Sequence, residues 1–321
     1  MAGRSDESRH GVALTNLDDP LFDGADAPKR ALVDYLDAVS DRILPELRGR
    51  PLSVIRVHRG QEAFMQKNVP KHAPDFVRTV RFWAETSQRN VDYALCEDEQ
   101  TLIWFGNQRA VEYHPALVLA ERPDRATYLV LDLDPPAGGA AFVQAARAAL
   151  LVREVLDQVG LPGFVKTSGA KGVHVFVPVD RDTSLEDAAA ATRAIAERAA
   201  KLDPSLATTA FMKEDREGKV FVDATRVGGA TVVAAYSPRV RPGATVSFPV
   251  SWDALETCSP ADFTILTVPE RLGEAGPWLD PDTAGPEIPE DLLEEGRGIA
   301  PGRVQAMHEG KRRKRAREKG S

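Results

Sequence analysis

The alternation of apolar and polar positions divides this chain into elements before any chemistry is considered. Residues 128–135 (Tyr-Leu-Val-Leu-Asp-Leu-Asp-Pro) read as a buried strand that ends in two carboxylates. Successive side chains of a strand face opposite ways, so Asp132 and Asp134 share one face and Leu131 and Leu133 the other. Upstream, Leu32, Tyr35, Leu36, Val39, Ile43, Leu44 and Leu47 recur at helical spacing. They predict one amphipathic helix over 29–47, with Pro45 placed to kink its last turn. Residues 52–57 and 91–95 read as strands and 99–109 as a helix, while 60–71 reads as an exposed loop with Phe64 and Met65 side by side. Residues 1–27 show little apolar periodicity and are expected to wrap loosely over the surface.

Downstream of the acidic strand, prolines and glycines at 135–139 break the chain, and 142–159 follows as an alanine-rich helix. The stretch 164–179 reads strand, glycine-rich turn, strand, with His174, Phe176 and Pro178 on one face of the second strand. Its turn, Ser168-Gly-Ala-Lys171-Gly, offers a hydroxyl, an amine and free backbone N–H groups. Such a turn can cradle phosphates, although most turns of this composition are plain hairpins, and the spacing is not that of a Walker loop. A helix over 185–202 and a short strand over 219–223 come next, the strand closing on a third acid, Asp223. Residues 230–235 and 245–250 read as two further strands, and the chain past Pro277 is rich in Pro, Glu and Gly.

Composition narrows the class. No apolar run approaches the roughly 20 residues of a membrane span, and the first ten residues lack the apolar core of a secretory signal. The expectation from these features is an intracellular protein. Cys96 and Cys258 sit in no Cys/His cluster, so any metal must be held by oxygen. Net charge is −7, but residues 311–319 alone carry +6 and leave −13 for the rest. That basic tail is either a solvated terminus or an arm for nucleic acid.

Two acids confined to one strand face repel, and one tends to hold its proton unless a cation keeps both ionised. Adding Asp223 makes a site for two divalent cations, as phosphoryl or nucleotidyl transfer requires, the economical reading. Oxygen ligands suit Mg²⁺ or Mn²⁺. Lys171, Arg226 and Arg239 could clamp the triphosphate beside the Ser168 turn. The Asp-x-Asp pair also serves sugar transferases and some phosphatases, His174 could be a core histidine, and Phe64 near Lys67 could stack on a base or simply close over the core.

Seven separated blocks, in order, resemble the polymerase domain of the bacterial multifunctional DNA ligase D, within the archaeo-eukaryotic primase-polymerase superfamily. They are residues 47–53, 64–68 (Phe-Met-Gln-Lys-Asn), 111–115 (Val-Glu-Tyr-His-Pro), 131–136 (Leu-Asp-Leu-Asp-Pro-Pro), 166–175 (Lys-Thr-Ser-Gly-Ala-Lys-Gly-Val-His-Val), 219–223 and 236–252. The resemblance implies an α+β fold whose mixed or antiparallel sheet carries the acids, with helices outside. It implies that Asp132, Asp134 and Asp223 bind two catalytic ions, usually Mn²⁺. Ser168, Lys171, His174 and Arg239 would surround the triphosphate with His114 nearby, and Phe64 and Lys67 would lie by the template or primer. It further implies extension of a 3′-hydroxyl on gapped, nicked or broken DNA with NTP or dNTP, ribonucleotides preferred, alongside a Ku-like protein and a ligase.

Departures qualify the match. Asp19 stands where the family commonly has a lysine, while Lys29 occupies the place of a second; that pair is associated with gripping a 5′-phosphate, so weak 5′-phosphate recognition is expected. The segment after Asp223 is one residue short, and Ala235 replaces a proline. No Lys-x-Asp-Gly adenylation motif occurs, which points to a stand-alone polymerase that borrows a ligase. The expected organisation is a wrapping segment (1–27), a catalytic domain (28–295) and a flexible basic tail (296–321). The competing class is a non-catalytic nucleic-acid-binding paralogue, disfavoured because a phosphate-binding module gains nothing from clustered carboxylates.

Overall fold

Two large sheets and a two-stranded hairpin make up the strands of the described residues, and the acids lie on the larger sheet. The computed structural model describes residues 4–84, 88–228, 230–280 and 283–300. In chain order the elements are β1 (Arg4–Arg9), β2 (Val12–Thr15), α1 (Lys29–Ala38), α2 (Ser40–Leu47), β3 (Leu52–Arg56), β4 (Phe64–Gln66), β5 (Thr79–Ala84), β6 (Arg89–Ala94), α3 (Glu99–Asn107) and β7 (Ala110–Pro115). The second half contributes β8 (Tyr128–Asp134), α4 (Ala141–Val159), β9 (Phe164–Thr167), β10 (Val173–Pro178), α5 (Leu185–Leu202), β11 (Ala207–Thr208), β12 (Val220–Asp223), β13 (Pro249–Val250), α6 (Val268–Arg271) and α7 (Glu290–Gly298).

The larger sheet runs β11-β12-β8-β10-β9-β13 and is antiparallel except for the β11/β12 pair. Its period-two pattern sorts the two faces. Leu129, Leu131 and Leu133 of β8 and Val173, Val175 and Val177 of β10 are fully buried in the main core. Against them lie the alanine-rich faces of α4 and α5, including Ala145, Ala149, Ala188 and Ala191. Small side chains let helix and sheet approach closely, and each buried leucine contributes about 1.5–3 kcal/mol. The opposite face carries Tyr128, Val130 and Phe176 in a second apolar cluster with Leu117, Val232 and Leu279. That face also bears Asp132 and His174. Ser184 caps α5 by accepting from the Asp187 N–H, and Gly160 closes α4 in the left-handed region. The smaller sheet runs β4-β3-β6-β5, with β7 also on β3.

Several elements differ from expectation. The 29–47 helix breaks at Val39, where φ is −109° and ψ is 10°, and Pro45 sits inside the restarted α2. Residues 4–15 form a hairpin whose turn residues, His10 and Gly11, both have positive φ (48° and 77°), as a tight two-residue turn demands. Within the 60–71 loop, β4 pairs with β3. Residues 230–235 are not a strand, and of 245–250 only β13 is. Left-handed Tyr236 (φ 63°) and Ala244 (φ 47°), with Pro238 and Pro242 nearby, interrupt these apolar runs and leave single bridges. α7 runs to Gly298, across the boundary expected at 296; the basic tail at 311–319 lies outside the described residues.

Candidate active site

The strand register builds the site. Asp223 of β12 pairs with Asp132 of β8, Asp132 pairs with His174 of β10, and His174 pairs with Lys166 of β9. Four polar side chains therefore form one row across the same sheet face. Asp134, two residues along β8, pairs with Phe221 and joins Asp132 on that face. Arg226 lies across the acids, with Nη2 3.3 Å from Asp132 Oδ2 and Nε 3.3 Å from Asp223 Oδ2. Asp223 also accepts from the Thr225 N–H (2.8 Å) and hydroxyl (2.6 Å).

Electrostatics separate the acids. Burial pushes Asp134 up, and the neighbouring Asp132 and Asp223 push the same way. Burial acts likewise on Asp132, yet His174 and Arg226 outweigh it and hold the carboxyl at about 2. His174 itself is pushed down to about 4, by burial and by the neighbouring Lys166.

The Ser168 turn folds around its own hydroxyl, whose Oγ accepts from the N–H groups of Ala170 (3.2 Å) and Gly172 (3.1 Å). Gly169 is left-handed (φ 67°), and a Cβ there would lie 2.6 Å from Arg239 Cγ. Arg239 donates to the Ser168 carbonyl, and its Nε lies 3.1 Å from Glu112 Oε2. The same Glu112 oxygen is 2.9 Å from His114 Nε2, while its other oxygen accepts from the Val240 N–H at 2.8 Å. Burial would raise the Glu112 carboxyl, but His114, Arg239 and that N–H hold it at about 2. Lys171 donates to the Pro135 carbonyl at 2.7 Å, beside Asp134.

Asp132, Asp134, Asp223 and His174 therefore share one sheet face, with Arg226 bridging Asp132 and Asp223 and Lys171 at the edge. Ser168, Arg239 and His114 form a second, linked group around the turn. Phe64 lies apart, on β4, 39% exposed and stacked on His58 with ring centroids 5.3 Å apart; Lys67 is exposed just beyond it. Lys29 is not at the surface. It is 2% exposed, and its amine donates to the Thr15 carbonyl (2.5 Å) and to Asn107 Oδ1 (2.7 Å). That enclosure removes it from the residues able to reach DNA in this conformation. Two buried residues were missed from sequence, Glu112 and Lys166. Glu112 precedes His114 by two on one strand and so shares its face, a signal the pattern did contain.

Comparison with known proteins places this geometry. The LigD primase-polymerase domain family model matches residues 28–278. The chain belongs to that family. It is 34% identical over 276 residues to the bifunctional non-homologous end joining protein LigD of Bacillus subtilis, covering 84% of this chain and 44% of that protein. It is 32% identical over 289 residues to the multifunctional non-homologous end joining DNA repair protein LigD of Mycobacterium tuberculosis, covering 87% of this chain and 37% of that one. The chain thus spans less than half the length of these relatives. Among solved structures, the polymerase domain of Mycobacterium tuberculosis ligase D in complex with DNA aligns with TM-score 0.75 and 30% identity, covering 85% of this chain and 99% of that one. The α+β fold with its mixed sheets is the fold of that polymerase domain.

The donors of the acidic row are all hard oxygens, the set that suits Mg²⁺ or Mn²⁺. Among the described residues, no three acid, histidine or cysteine side chains converge on one point as they stand. Asp132 and Asp223 are turned onto Arg226 and Thr225 instead. The residues fit a divalent ion in kind.

Proposed function

We propose that this protein is a metal-dependent, DNA-directed nucleotidyltransferase that adds nucleotides, ribonucleotides by preference, to a 3′-hydroxyl on gapped or broken DNA during end joining or gap repair. The observation that carries this reading is the register that sets Asp223 against Asp132, with Asp134 two residues further along the same face. In this reading Asp132, Asp134 and Asp223 would hold two Mn²⁺ or Mg²⁺ ions, which would supply Lewis acidity and positive charge for transfer to a 3′-hydroxyl.

The chain's own groups do the rest. The Ser168 turn, with Lys171, His174, Arg239 and Arg226, receives the triphosphate, and His114 lies nearby on Glu112. Phe64 offers a ring to a base and Lys67 a charge to a phosphate at the template side. A separate ligase and a Ku-like protein are the expected partners, and the cytoplasm, on the nucleoid, the expected place. Among the described residues no helix is long and apolar enough to cross a membrane.

Template-directed extension of a short primer with Mn²⁺ tests the reading. Wild type should extend and Asp132→Ala should not, while both bind DNA. Binding without extension under any metal or nucleotide would instead mark a non-catalytic nucleic-acid-binding paralogue.

A further inference from the structure

Glu112 belongs to β7 of the smaller sheet, yet the groups it holds lie around the Ser168 turn of the larger one. It is 4% exposed, and a carboxylate so enclosed persists only where donors surround it. Three do, at 2.8 to 3.1 Å: the Val240 N–H on Oε1, and His114 Nε2 with Arg239 Nε on Oε2. We propose that Glu112 is a positioning residue for the incoming nucleotide, one carboxylate that holds His114 and Arg239 as a single unit beside the triphosphate. Its use for a nucleotide rests on the nucleotidyl-transfer reading; its hold on both groups does not.

Strand geometry and one long connection bring these groups together. Glu112 and His114 are two apart on β7, opposite Ile55 and Ser53 of β3, and so share a face. The backbone of Tyr113 between them fastens β7 to the 234–237 segment. Its N–H donates to Ser237 Oγ at 2.9 Å, and its carbonyl accepts from the Ala234 N–H at 2.9 Å. The chain then delivers Arg239, whose Nη1 donates to the Ser168 carbonyl, and Thr245, whose hydroxyl donates to the Gly169 carbonyl. Arg239 is therefore fixed at two nitrogens, Nη1 by the turn and Nε by Glu112.

Each held side chain keeps one nitrogen in reserve. Arg239 Nη2 and His114 Nδ1 have no hydrogen-bonding or ion-pair partner among the described residues. Both remain for a ligand while the rest of each side chain is fixed, so a nucleotide would bind without first ordering its clamp. Glu112 itself touches no substrate in this reading and acts through the two groups it holds. Burial would push its carboxyl up, but its three donors keep it at about 2, and it stays an acceptor at neutral pH.

The test is the KM for GTP in Mn²⁺-dependent primer extension by the full chain, measured beside the Kd for primer–template DNA. Glu112→Gln keeps the shape of the side chain but offers one oxygen to three groups. Its KM should rise by about 10- to 100-fold while DNA affinity stays within about 2-fold of wild type. In a background carrying both His114→Ala and Arg239→Met, the same substitution should change KM by less than about 2-fold, because the groups it acts through are gone. An unchanged KM in folded Glu112→Gln overturns the proposal. So does an equal rise in both backgrounds, the result a merely structural carboxylate would give. Where Glu112→Gln fails to fold, Glu112→Asp, which draws the charge back by one methylene, is judged by the same two comparisons. Calorimetric GTP binding keeps the two readings apart. A wild type that binds GTP and extends no primer sinks the polymerase reading, and the GTP Kd of the same variants then decides the role of Glu112; a wild type that binds no GTP ends both.

Discussion

Arg226 gives the sharpest test of how the acids are held, because its removal should move two measurements in opposite directions. The guanidinium is 3.3 Å from both Asp132 and Asp223, and its side chain is 39% exposed. At an effective dielectric near 20, each pair would be worth about 5 kcal/mol by Coulomb's law alone. Solvent at a group this open screens most of that, and about 1 kcal/mol per pair is the realistic scale. Arg226→Met should therefore lower the stability of the metal-free protein by about 1–2 kcal/mol, or roughly 2–6 °C in Tm. A divalent ion entering the wild-type site must first displace that guanidinium, at the same cost. In the variant nothing has to leave, so Mn²⁺ titrated calorimetrically into nucleotide-free protein should bind about 5- to 30-fold more tightly. Arg226→Lys, which keeps the charge, should stay near wild type in both respects. Weaker or unchanged Mn²⁺ binding by a folded Arg226→Met would refute the reasoning and leave Arg226 as a triphosphate clamp only.

Three more outcomes follow from the geometry. A Cβ on Gly172 would sit 2.7 Å from the Leu133 carbonyl oxygen, between Asp132 and Asp134, so Gly172→Ala should cost about 1–3 kcal/mol in urea unfolding; wild-type stability would contradict the packing. Glu112, held at about 2 against an ordinary carboxylate near ~4.3, contributes stability that is complete above the ordinary value and lost as pH falls toward 2. Melting followed from pH 6 to 2.5 should show a loss of about 2–3 kcal/mol that Glu112→Gln lacks, and parallel curves would remove Glu112 from this role. Lys29 is pushed down to about 8, first by burial, so its charged form disfavours the fold below pH 8 and that penalty fades as pH rises toward 10. Wild type should gain on Lys29→Met over that window, and with Lys29 enclosed and Asp19 at the neighbouring family position, gapped-DNA affinity should change little when the 5′-phosphate is removed; a strong phosphate dependence would refute the second half.

The acids were legible in sequence because a strand's period is fixed. Two aspartates at a spacing of two must share a face, and a third at a strand end needs only a neighbouring partner. The register that set Asp223 opposite Asp132 was not legible, since some ninety residues separate them and pairing is decided by the whole sheet. The α4 and α5 helices were readable for the same local reason, Leu185–Leu202 to the residue. The β1/β2 hairpin escaped because β1 is wholly polar, β2 is only four residues long and the turn signal, His10-Gly11, is short. β5 was overlooked although its residues alternate, because one of its faces stays wet: Arg81 and Trp83 are exposed while Phe82 is half-buried. α7 lay hidden in a segment whose prolines precede the helix and do not interrupt it.

Charge was where sequence reading fell furthest short, for a definite reason. A lysine's one-letter identity says nothing of whether its amine reaches solvent, and the two buried lysines among the described residues lie in different places. Lys29, expected at the DNA surface, ties α1 to the Thr15 backbone and Asn107 inside the fold. Lys166, singled out for nothing, stands behind the site with its amine 2.8 Å from His174 Nδ1. Glu112 links the turn at Ser168 to His114 in the same indirect way, through Arg239. The groups that face substrate in this reading were found because their spacing carries a rule. Those that hold them in place had to wait for coordinates, since their partners lie as many as 128 residues away. A substitution in that supporting set should therefore alter the site while leaving every group that faces substrate in this reading intact.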